Sequence, residues 1–145
     1  MSKQRHQNIP ASYLVLIKDG KVLLQRRYNT GYEDGKYSTI AGHVEEGETF
    51  TQAIIREARE EAGAELIQEH LDVAHVMHRK SHDSERVDTF FVAKEWQGEI
   101  ENKESHKCDD LSWFDLDELP ENTIPYIRQA IDCIRKSQFY SEYGW

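Results

Sequence analysis

The sequence predicts a mixed α/β domain in which strands and two helices are layered around a common core. Several short runs have the alternating apolar pattern of strands. Helical spacing runs from about Thr49 to Ala62, and a second helix is expected to open at Pro125. At 145 residues, with 38% hydrophobic and 31% charged residues, the chain is long enough to bury a core and has the composition of one globular domain.

The first third of the chain contains a hairpin signal. Residues 1–10 are polar, and we expect them to form a flexible segment ahead of a single domain over residues 11–145. In SYLVLIKDGKVLLQRRY, two apolar runs meet at Asp19-Gly20, a dipeptide typical of tight hairpin turns. The stretch 28–36 is loop-like, and YSTIAG is expected to be a short strand.

The second half alternates strands with polar connections. LDVAHVMH and VDTFFVAKEW have strand patterns, whereas QGEIENKESHKCDD is a polar loop. LSWFDLDELP predicts a short strand followed by a turn. The last helix is predicted from Pro125 to about Lys136, because proline fits the first turn of a helix.

Charge and composition restrict the function. A net charge of −9 argues against coating duplex nucleic acid, although a small anion can still bind beside a cation. No segment approaches the roughly 20 apolar residues of a membrane span, and the start lacks the apolar region of a secretory signal. The two cysteines, Cys108 and Cys133, fit a reducing compartment, so we expect a cytoplasmic protein without membrane partners.

The first predicted helix has an acidic edge. On a helix that turns about 100° per residue, Glu60 and Glu61 fall within about 60° of Glu57. The apolar residues occupy a separate side, more than about 90° from Glu57: Ile55, Ala58 and Ala62. Like charges at this spacing destabilise a helix by a few tenths of a kcal/mol per pair. A divalent cation would offset that cost, and oxygen-rich clusters favour Mg²⁺ or Mn²⁺.

An alternative explanation is a solvated helix face. Arg56 and Arg59 have neighbours such as Glu60 with which to form ion pairs. The helix pattern alone leaves this alternative open.

The flanking residues extend the pattern into a fixed frame. It reads glycine, five residues, glutamate, seven residues, then R-E-U-x-E-E-x-G-U, where U is a bulky apolar residue. Its fixed positions here are Gly42, Glu48, Arg56, Glu57, Glu60, Glu61 and Gly63. This frame resembles the Nudix box of the Nudix hydrolases. Both U positions are small here, Ala58 and Ala64, but no chemical position is lost.

The resemblance implies a Nudix-type α/β/α sandwich with a mixed β-sheet, in which the Nudix box forms a loop-helix-loop. It also implies divalent-metal-dependent hydrolysis of a nucleoside diphosphate linked to another group, with a small nucleotide as partner. A MutT-like nucleotide pyrophosphohydrolase acting on nucleoside triphosphates is the leading hypothesis. An ADP-ribose or nucleotide-sugar pyrophosphatase and a non-catalytic nucleotide-binding module are the alternatives. Members of the family are often homodimers.

In the family pattern, Glu57 and Glu61 hold the metal, and Glu60 is a further ligand or orients one. Arg56 orients a carboxylate through charge-assisted hydrogen bonds. Glu48 is either an additional metal residue or a partner of the helix N-terminus. The backbone carbonyl of Ala41, just before the first glycine of the frame, is a further expected ligand. The pattern leaves open whether Glu60, Glu61 or an acid outside the box is the catalytic base.

Outside the box, WQGEIENKESHK is similar to the MutT-like branch, where a loop glutamate after a lysine binds metal or acts as base. Here that residue is Glu104, preceded by Lys103. Glu101 and Asp109 are the fallback candidates.

Substrate-binding residues are also expected beyond the box. Trp113 is a candidate for stacking on a nucleobase, and Asn122 is a candidate for reading its polar edge; the alternatives are that Trp113 packs in the core and that Asn122 is a turn residue. Arg79 and Arg86 either touch phosphate or pair with neighbouring acids.

Overall fold

The computed structural model describes residues 4–145. Its elements, in chain order, are β1 (Ile9–Val15), β2 (Ile17–Lys18), β3 (Lys21–Arg27), β4 (Tyr37–Ser38), β5 (Ile40–His43), α1 (Phe50–Ala62), β6 (Glu65–Leu66), a 3₁₀ helix (Gln68–His70), β7 (Leu71–Lys80), β8 (Glu85–Ala93), β9 (Trp96–Gln97), β10 (Cys108–Asp115), α2 (Pro125–Arg135) and β11 (Tyr140–Tyr143).

A five-stranded mixed sheet is the centre of the fold. Its order is β11-β7-β8-β1-β5, with β1 parallel to β8, β11 parallel to β7, and the other pairs antiparallel. A second sheet has the order β10-β3-β2, with β4 paired to β3, and β6 pairs with β9. This mixed α/β architecture confirms the predicted fold class.

The two helices cover opposite faces of the large sheet. Successive residues of a strand point to opposite faces, so Tyr13 and Leu14 enter different cores. One core joins Tyr13 and Phe90 to the apolar side of α2. The other joins Leu14 and Phe91 to the apolar side of α1. Burial of these two apolar layers holds the helices against the sheet.

Several elements agree with the sequence prediction. The hairpin between β2 and β3 turns at Asp19 and Gly20, whose φ angles of 53° and 74° are the left-handed values that such a turn requires. Helix α1 ends before Gly63, which adopts a φ of 68° as its C-cap. Helix α2 begins at Pro125, as expected.

Other elements differ from the prediction at the edges of the sheet. Strand β1 begins at Ile9, which pairs with Arg86, so residues 9–10 belong to the sheet rather than to the polar segment. The expected flexibility of residues 1–3 lies outside the described residues. Strand β11 was not predicted, because its two tyrosines are separated by two polar residues rather than one, which breaks the alternation of a strand, and its partner β7 is distant in the sequence. Within residues 4–145, no helix combines the length and apolarity needed to cross a bilayer.

A capping box fixes the start of α1. The hydroxyl of Thr49 accepts a hydrogen bond from the backbone N–H of Gln52 at 3.0 Å, and the Gln52 side chain accepts one from the Thr49 N–H at 2.9 Å. Both groups are donors that the helix itself leaves without partners. The cap therefore determines where the acidic edge of α1 begins.

Replacing Thr49 with alanine should lower the free energy of unfolding by about 1 kcal/mol, because one cap hydrogen bond is lost. The corresponding loss in Tm is about 2–4 °C. Denaturant unfolding measures this change, with Thr51→Ala as the matched control inside the helix. An equal loss in both variants would show that the cap does not stabilise the helix start.

Candidate functional site

The acidic edge of α1 faces an open cleft of about 650 Å³. Glu57, Glu60 and Glu61 line the cleft together with Glu104, which comes from the loop before β10. The box residues and Glu104, 43 or more positions apart in the sequence, therefore meet at one site. The solvated helix face considered as an alternative does not describe Glu57, whose side chain is only 15% exposed. It does describe Glu60, which is 51% exposed and lies 3.4 Å from Arg56.

Gly42 lets the helix approach β5 closely. A methyl group at this position would overlap the carboxyl group of Glu57. The φ angle of Gly42 is not in the left-handed region, so the requirement for glycine here is one of space. The first glycine of the frame therefore positions the first metal-binding candidate.

Arg56 connects the acids around the helix start. Its Nε donates to Glu48 at 2.7 Å, and its Nη1 lies 2.6 Å from Glu57 and 3.4 Å from Glu60. Its Nη2 also donates to the carbonyl of His43 at 3.3 Å. Arg56 and the N–H of Glu45 together lower the pKa of Glu48 to about 2. Glu48 thus remains charged and anchors Arg56, and it does not line the cleft itself.

Glu61 lies where the helix meets the sheet. Its carboxylate accepts hydrogen bonds from Gln25 Nε2 at 2.9 Å and from the backbone N–H of Ala41 at 3.2 Å. Burial of the carboxyl group raises its pKa well above the ordinary value, against the effect of the Gln25 bond. The charges of Glu57 and Glu104 raise it further.

Glu57 has a related environment. Burial raises its pKa, Arg56 opposes that rise, and the charge of Glu60 adds to it. Crowded, partly desolvated carboxylates of this kind repel one another, and they are good ligands for a hard divalent cation.

The donor set therefore fits a metal by its chemistry. In the present arrangement, Arg56, Gln25 and the Ala41 N–H occupy oxygens of Glu57 and Glu61. Within residues 4–145, no three His, Cys, Asp or Glu side chains are already gathered as a metal-binding group.

The lining of the cleft also includes cations. Arg86 donates to the ring Nε2 of His43 at 3.1 Å and to the hydroxyl of Ser84 at 3.2 Å. Burial and the neighbouring Arg86 lower the pKa of His43, which suits the acceptor role of its ring. Arg27 and Lys107 line the same cleft. Arg86 thus lines the same cleft as the acids without an ion-paired carboxylate of its own among the described residues.

Arg79 has a different environment. It is only 3% exposed, and its Nε donates to the buried carboxylate of Asp88 at 2.6 Å. Of the two alternatives for this residue, the structure shows the ion pair. Arg79 nevertheless lines the cleft, beside Tyr13 and Tyr126.

Trp113 and Asn122 do not line the cleft. Trp113 packs into the core on the α1 side, where its ring stacks against Trp96 at a centroid distance of 6.1 Å. Asn122 is exposed and donates to the carbonyl of Gly35 at 2.7 Å, which ties two loops together. The orientation of β10 explains this placement, because Trp113 and Phe114 point to opposite sides and neither side is the acidic edge.

The fallback acids also have other partners. Asp109 pairs with Arg26 at 2.7 Å, and Glu101 pairs with Lys103.

Sequence reasoning missed several residues that line the cleft: Tyr13, Gln25, Arg27, Tyr32, Lys107 and Tyr126. Most of them lie in strands or loops whose patterns predict the element without showing which face meets the cleft.

A mixed α/β sandwich whose helix presents a glutamate row to a cleft has the architecture of a Nudix domain. The family model described as NUDIX domain matches residues 8–132, and the chain belongs to this family. Nudix hydrolases generally use a divalent metal.

Relatives of known sequence carry the description NAD-capped RNA hydrolase NudC. The protein from Chromobacterium violaceum is 30% identical over 136 residues, covering 90% of this chain and 49% of the relative. The protein from Pseudomonas aeruginosa strain PAO1 is 32% identical over 116 residues, covering 80% and 40%. The chain thus spans about half the length, or less, of these curated relatives.

Solved structures show the same fold. A MutT NUDIX hydrolase from Burkholderia pseudomallei is 26% identical, with a TM-score of 0.80 and coverage of 88% of this chain and 98% of that chain. A MutT protein from Methanosarcina mazei Go1 is 20% identical, with a TM-score of 0.78 and coverage of 92% and 97%.

Gly42→Ala should weaken the binding of Mg²⁺ or Mn²⁺, because the new methyl group displaces the carboxyl group of Glu57. The measurement is the rise in Tm on titration with either ion, which should shrink in the variant. In a Glu57→Gln background, Gly42→Ala should have little additional effect, because the two changes act through one carboxylate. Additive losses would contradict this coupling.

The raised pKa of Glu61 predicts a pH-dependent stability in metal-free protein. Above the ordinary glutamate pKa, the folded state binds more protons than the unfolded state, so this residue makes stability fall as pH rises. His43, with its lowered pKa, acts in the opposite direction. The comparison of wild type with Glu61→Gln removes the Glu61 carboxyl group together with its coupling to Glu57, whereas His43 is common to both proteins.

Denaturant unfolding in EDTA between pH 5 and pH 8 tests this expectation. The stability of Glu61→Gln relative to wild type should increase across that range. Glu48, whose pKa is lowered to about 2, titrates below the range and does not contribute. A relative stability that stays constant would show that the carboxyl group of Glu61 is already ionised at pH 5.

Proposed function

We propose that this protein hydrolyses a phosphoanhydride bond of a nucleotide in a reaction that depends on Mg²⁺ or Mn²⁺. One observation carries the proposal: four glutamates and an arginine without an ion-paired carboxylate among the described residues line the same cleft. A polyphosphate needs both, because its oxygens bind cations while the attacking water must lose a proton.

The metal-binding residues in this proposal are Glu57, Glu60, Glu61 and Glu104, with the carbonyl of Ala41. When bound, the metal would neutralise charge on phosphate oxygens and lower the pKa of water. The burial and mutual repulsion of Glu57 and Glu61 support this assignment, and Glu60 and Glu104 line the same cleft.

Arg56 and Glu48 are positioning residues in the proposal. Glu48 fixes the guanidinium of Arg56 with two hydrogen bonds, at 2.7 and 3.0 Å. The fixed guanidinium then holds Glu57 in place. This pair supplies orientation, because Glu48 lies outside the lining of the cleft.

The remaining residues of the proposed site bind the phosphate of the substrate or accept the proton of the attacking water. Arg86 is the proposed phosphate-binding residue, and Arg27 and Lys107 also line the cleft. The proton of the attacking water passes to a carboxylate of the cleft, for which Glu60, Glu61 and Glu104 are the candidates. Trp113 and Asn122 have no role in the proposed reaction, since neither lines the cleft.

Nucleoside triphosphates are the leading substrate class. The similarity to a MutT NUDIX hydrolase over 98% of that chain supports this choice. A dinucleotide such as NAD is the second candidate, favoured by the relatives described as NAD-capped RNA hydrolases. The third possibility, ADP-ribose or a nucleotide sugar, shares the same bond.

We also propose a cytoplasmic location, which the two buried free cysteines, Cys108 and Cys133, support. A homodimer remains a prediction from the family resemblance, and sedimentation equilibrium tests it.

The decisive experiment is product analysis from a panel of nucleoside triphosphates, NAD, ADP-ribose and nucleotide sugars, with Mg²⁺ and with EDTA. Hydrolysis should require the metal. Release of pyrophosphate identifies a triphosphate substrate, and two mononucleotides identify NAD. No metal-dependent hydrolysis of any member would overturn the proposed activity.

Glu57→Gln should reduce kcat/KM by a factor on the order of 10² to 10⁴, because a transition-state interaction worth several kcal/mol is lost. The fold should survive, since the change relieves repulsion among the acids. Glu46→Gln is the matched control, because Glu46 is exposed and does not line the cleft. Equal activity of Glu57→Gln and wild type would place the chemistry elsewhere.

A further inference from the structure

The floor of the cleft contains a buried arginine that the proposed phosphate chemistry does not use. Arg79 donates to Asp88 through Nε, and its Nη2 donates to the hydroxyl of Tyr13 at 3.3 Å. Its guanidinium lies over the ring of Tyr126, with Cζ 3.8 Å from the ring centroid. Among residues 4–145, none accepts a hydrogen bond from Nη1. Arg79 thus retains donor capacity at the floor of the cleft.

The charge of Arg79 is already balanced. Asp88 has an exposed fraction of 0% and lies 2.6 Å from the guanidinium. A phosphate brought to this floor would lose its hydration and meet the negative charge of Asp88 as well as the positive charge of Arg79. Arg86 is different, because its partners His43 and Ser84 are neutral groups. The floor of the cleft, at Arg79, therefore favours a neutral hydrogen-bond acceptor. The rim of the cleft, at Arg86, favours an anion.

The surroundings of Arg79 are aromatic and hold it in place. Tyr13 stacks on Phe90 with ring centroids 4.5 Å apart, and Arg79 itself covers the ring of Tyr126, so these two rings fix the guanidinium rather than receive a ligand. Tyr32, which is 42% exposed, lines the same cleft from the loop after β3 and offers the exposed aromatic surface on which a flat ring can pack.

The known chemistry of arginine specifies which edge of a ring fits. A guanidinium presents only donors, so the free Nη1 of Arg79 suits a keto oxygen. An exocyclic amino group in the same place would point its own donors at Nη1. Guanine and hypoxanthine carry a keto oxygen at C6 where adenine carries an amino group, and uracil carries a keto oxygen at C4 where cytosine carries an amino group.

We propose that Arg79 is a specificity-determining residue that selects substrates whose nucleobase carries a keto group. Asp88 and Tyr126 are positioning residues that hold the guanidinium. This inference rests on the proposed function, and it narrows the substrate class to nucleotides with keto bases.

Two matched substrate pairs test the selection. Inosine and adenosine triphosphates differ by a keto and an amino group at one ring position, with the associated change at N1. Uridine and cytidine triphosphates differ in the same way. In wild type, kcat/KM with Mg²⁺ should be about tenfold or more higher for the keto member of each pair. Equal values within a pair would overturn the inference.

Arg79→Lys tests whether this residue makes the selection. The ammonium keeps the charge beside Asp88 but loses the planar fork, so the keto-to-amino ratio should fall towards one. Arg86→Lys is the comparison, because a change at the phosphate end should affect both members of a pair alike. An equal loss for both nucleotides in Arg79→Lys would show that Arg79 binds phosphate and would overturn the inference.

A binding measurement separates this inference from the proposed activity. Inosine monophosphate should raise the Tm of wild type more than adenosine monophosphate at the same concentration. This difference can be scored even if no nucleotide is hydrolysed, in which case only the proposed activity fails. Equal shifts in wild type would overturn the selection by base.

Tyr13→Phe provides a second variant if Arg79→Lys does not fold. It removes only the hydroxyl that accepts from Nη2 of Arg79. The freed guanidinium should turn more easily, so the keto-to-amino ratio should fall in both assays. An unchanged ratio in this variant would argue that the orientation of Arg79 does not set the preference.

Discussion

The close packing of α1 on β5 is the constraint on which the site depends. Gly42 leaves the space for Glu57, and the N–H of Ala41 holds Glu61 at the same strand. This packing takes carboxylates out of water and places them beside one another, which raises the pKa values of Glu57 and Glu61. The fold thus keeps its acids in an environment that a divalent cation would stabilise.

Three of the arginines that line this cleft have different partners and therefore different roles. Arg56 forms hydrogen bonds to the acids and orders them. Arg79 is neutralised by Asp88 at the floor. Arg86 touches only neutral partners on the rim. Because the partners differ, one end of the cleft suits metal and phosphate, and the floor suits a neutral ring.

The agreement between sequence and structure follows the range of the interactions involved. Local signals gave the hairpin at Asp19-Gly20, the cap at Thr49 and the stop at Gly63. Strand β11 depends on long-range contacts instead. Its approach to β7 is fixed by the buried ring of His75, which hydrogen-bonds to the Gln138 carbonyl and the Ser141 hydroxyl. No pattern within residues 140–143 reveals those partners.

The residue pattern alone is enough to identify the family frame, the acidic edge of α1 and the chemistry that such an edge supports, because helical spacing fixes which side chains share a face. Which distant residues join that edge depends on how the elements pack together. This packing brought Glu104 and Gln25 to the cleft and turned Trp113 towards the core. Register and packing between elements far apart in the chain set these positions, and neither is encoded in the local pattern of residues.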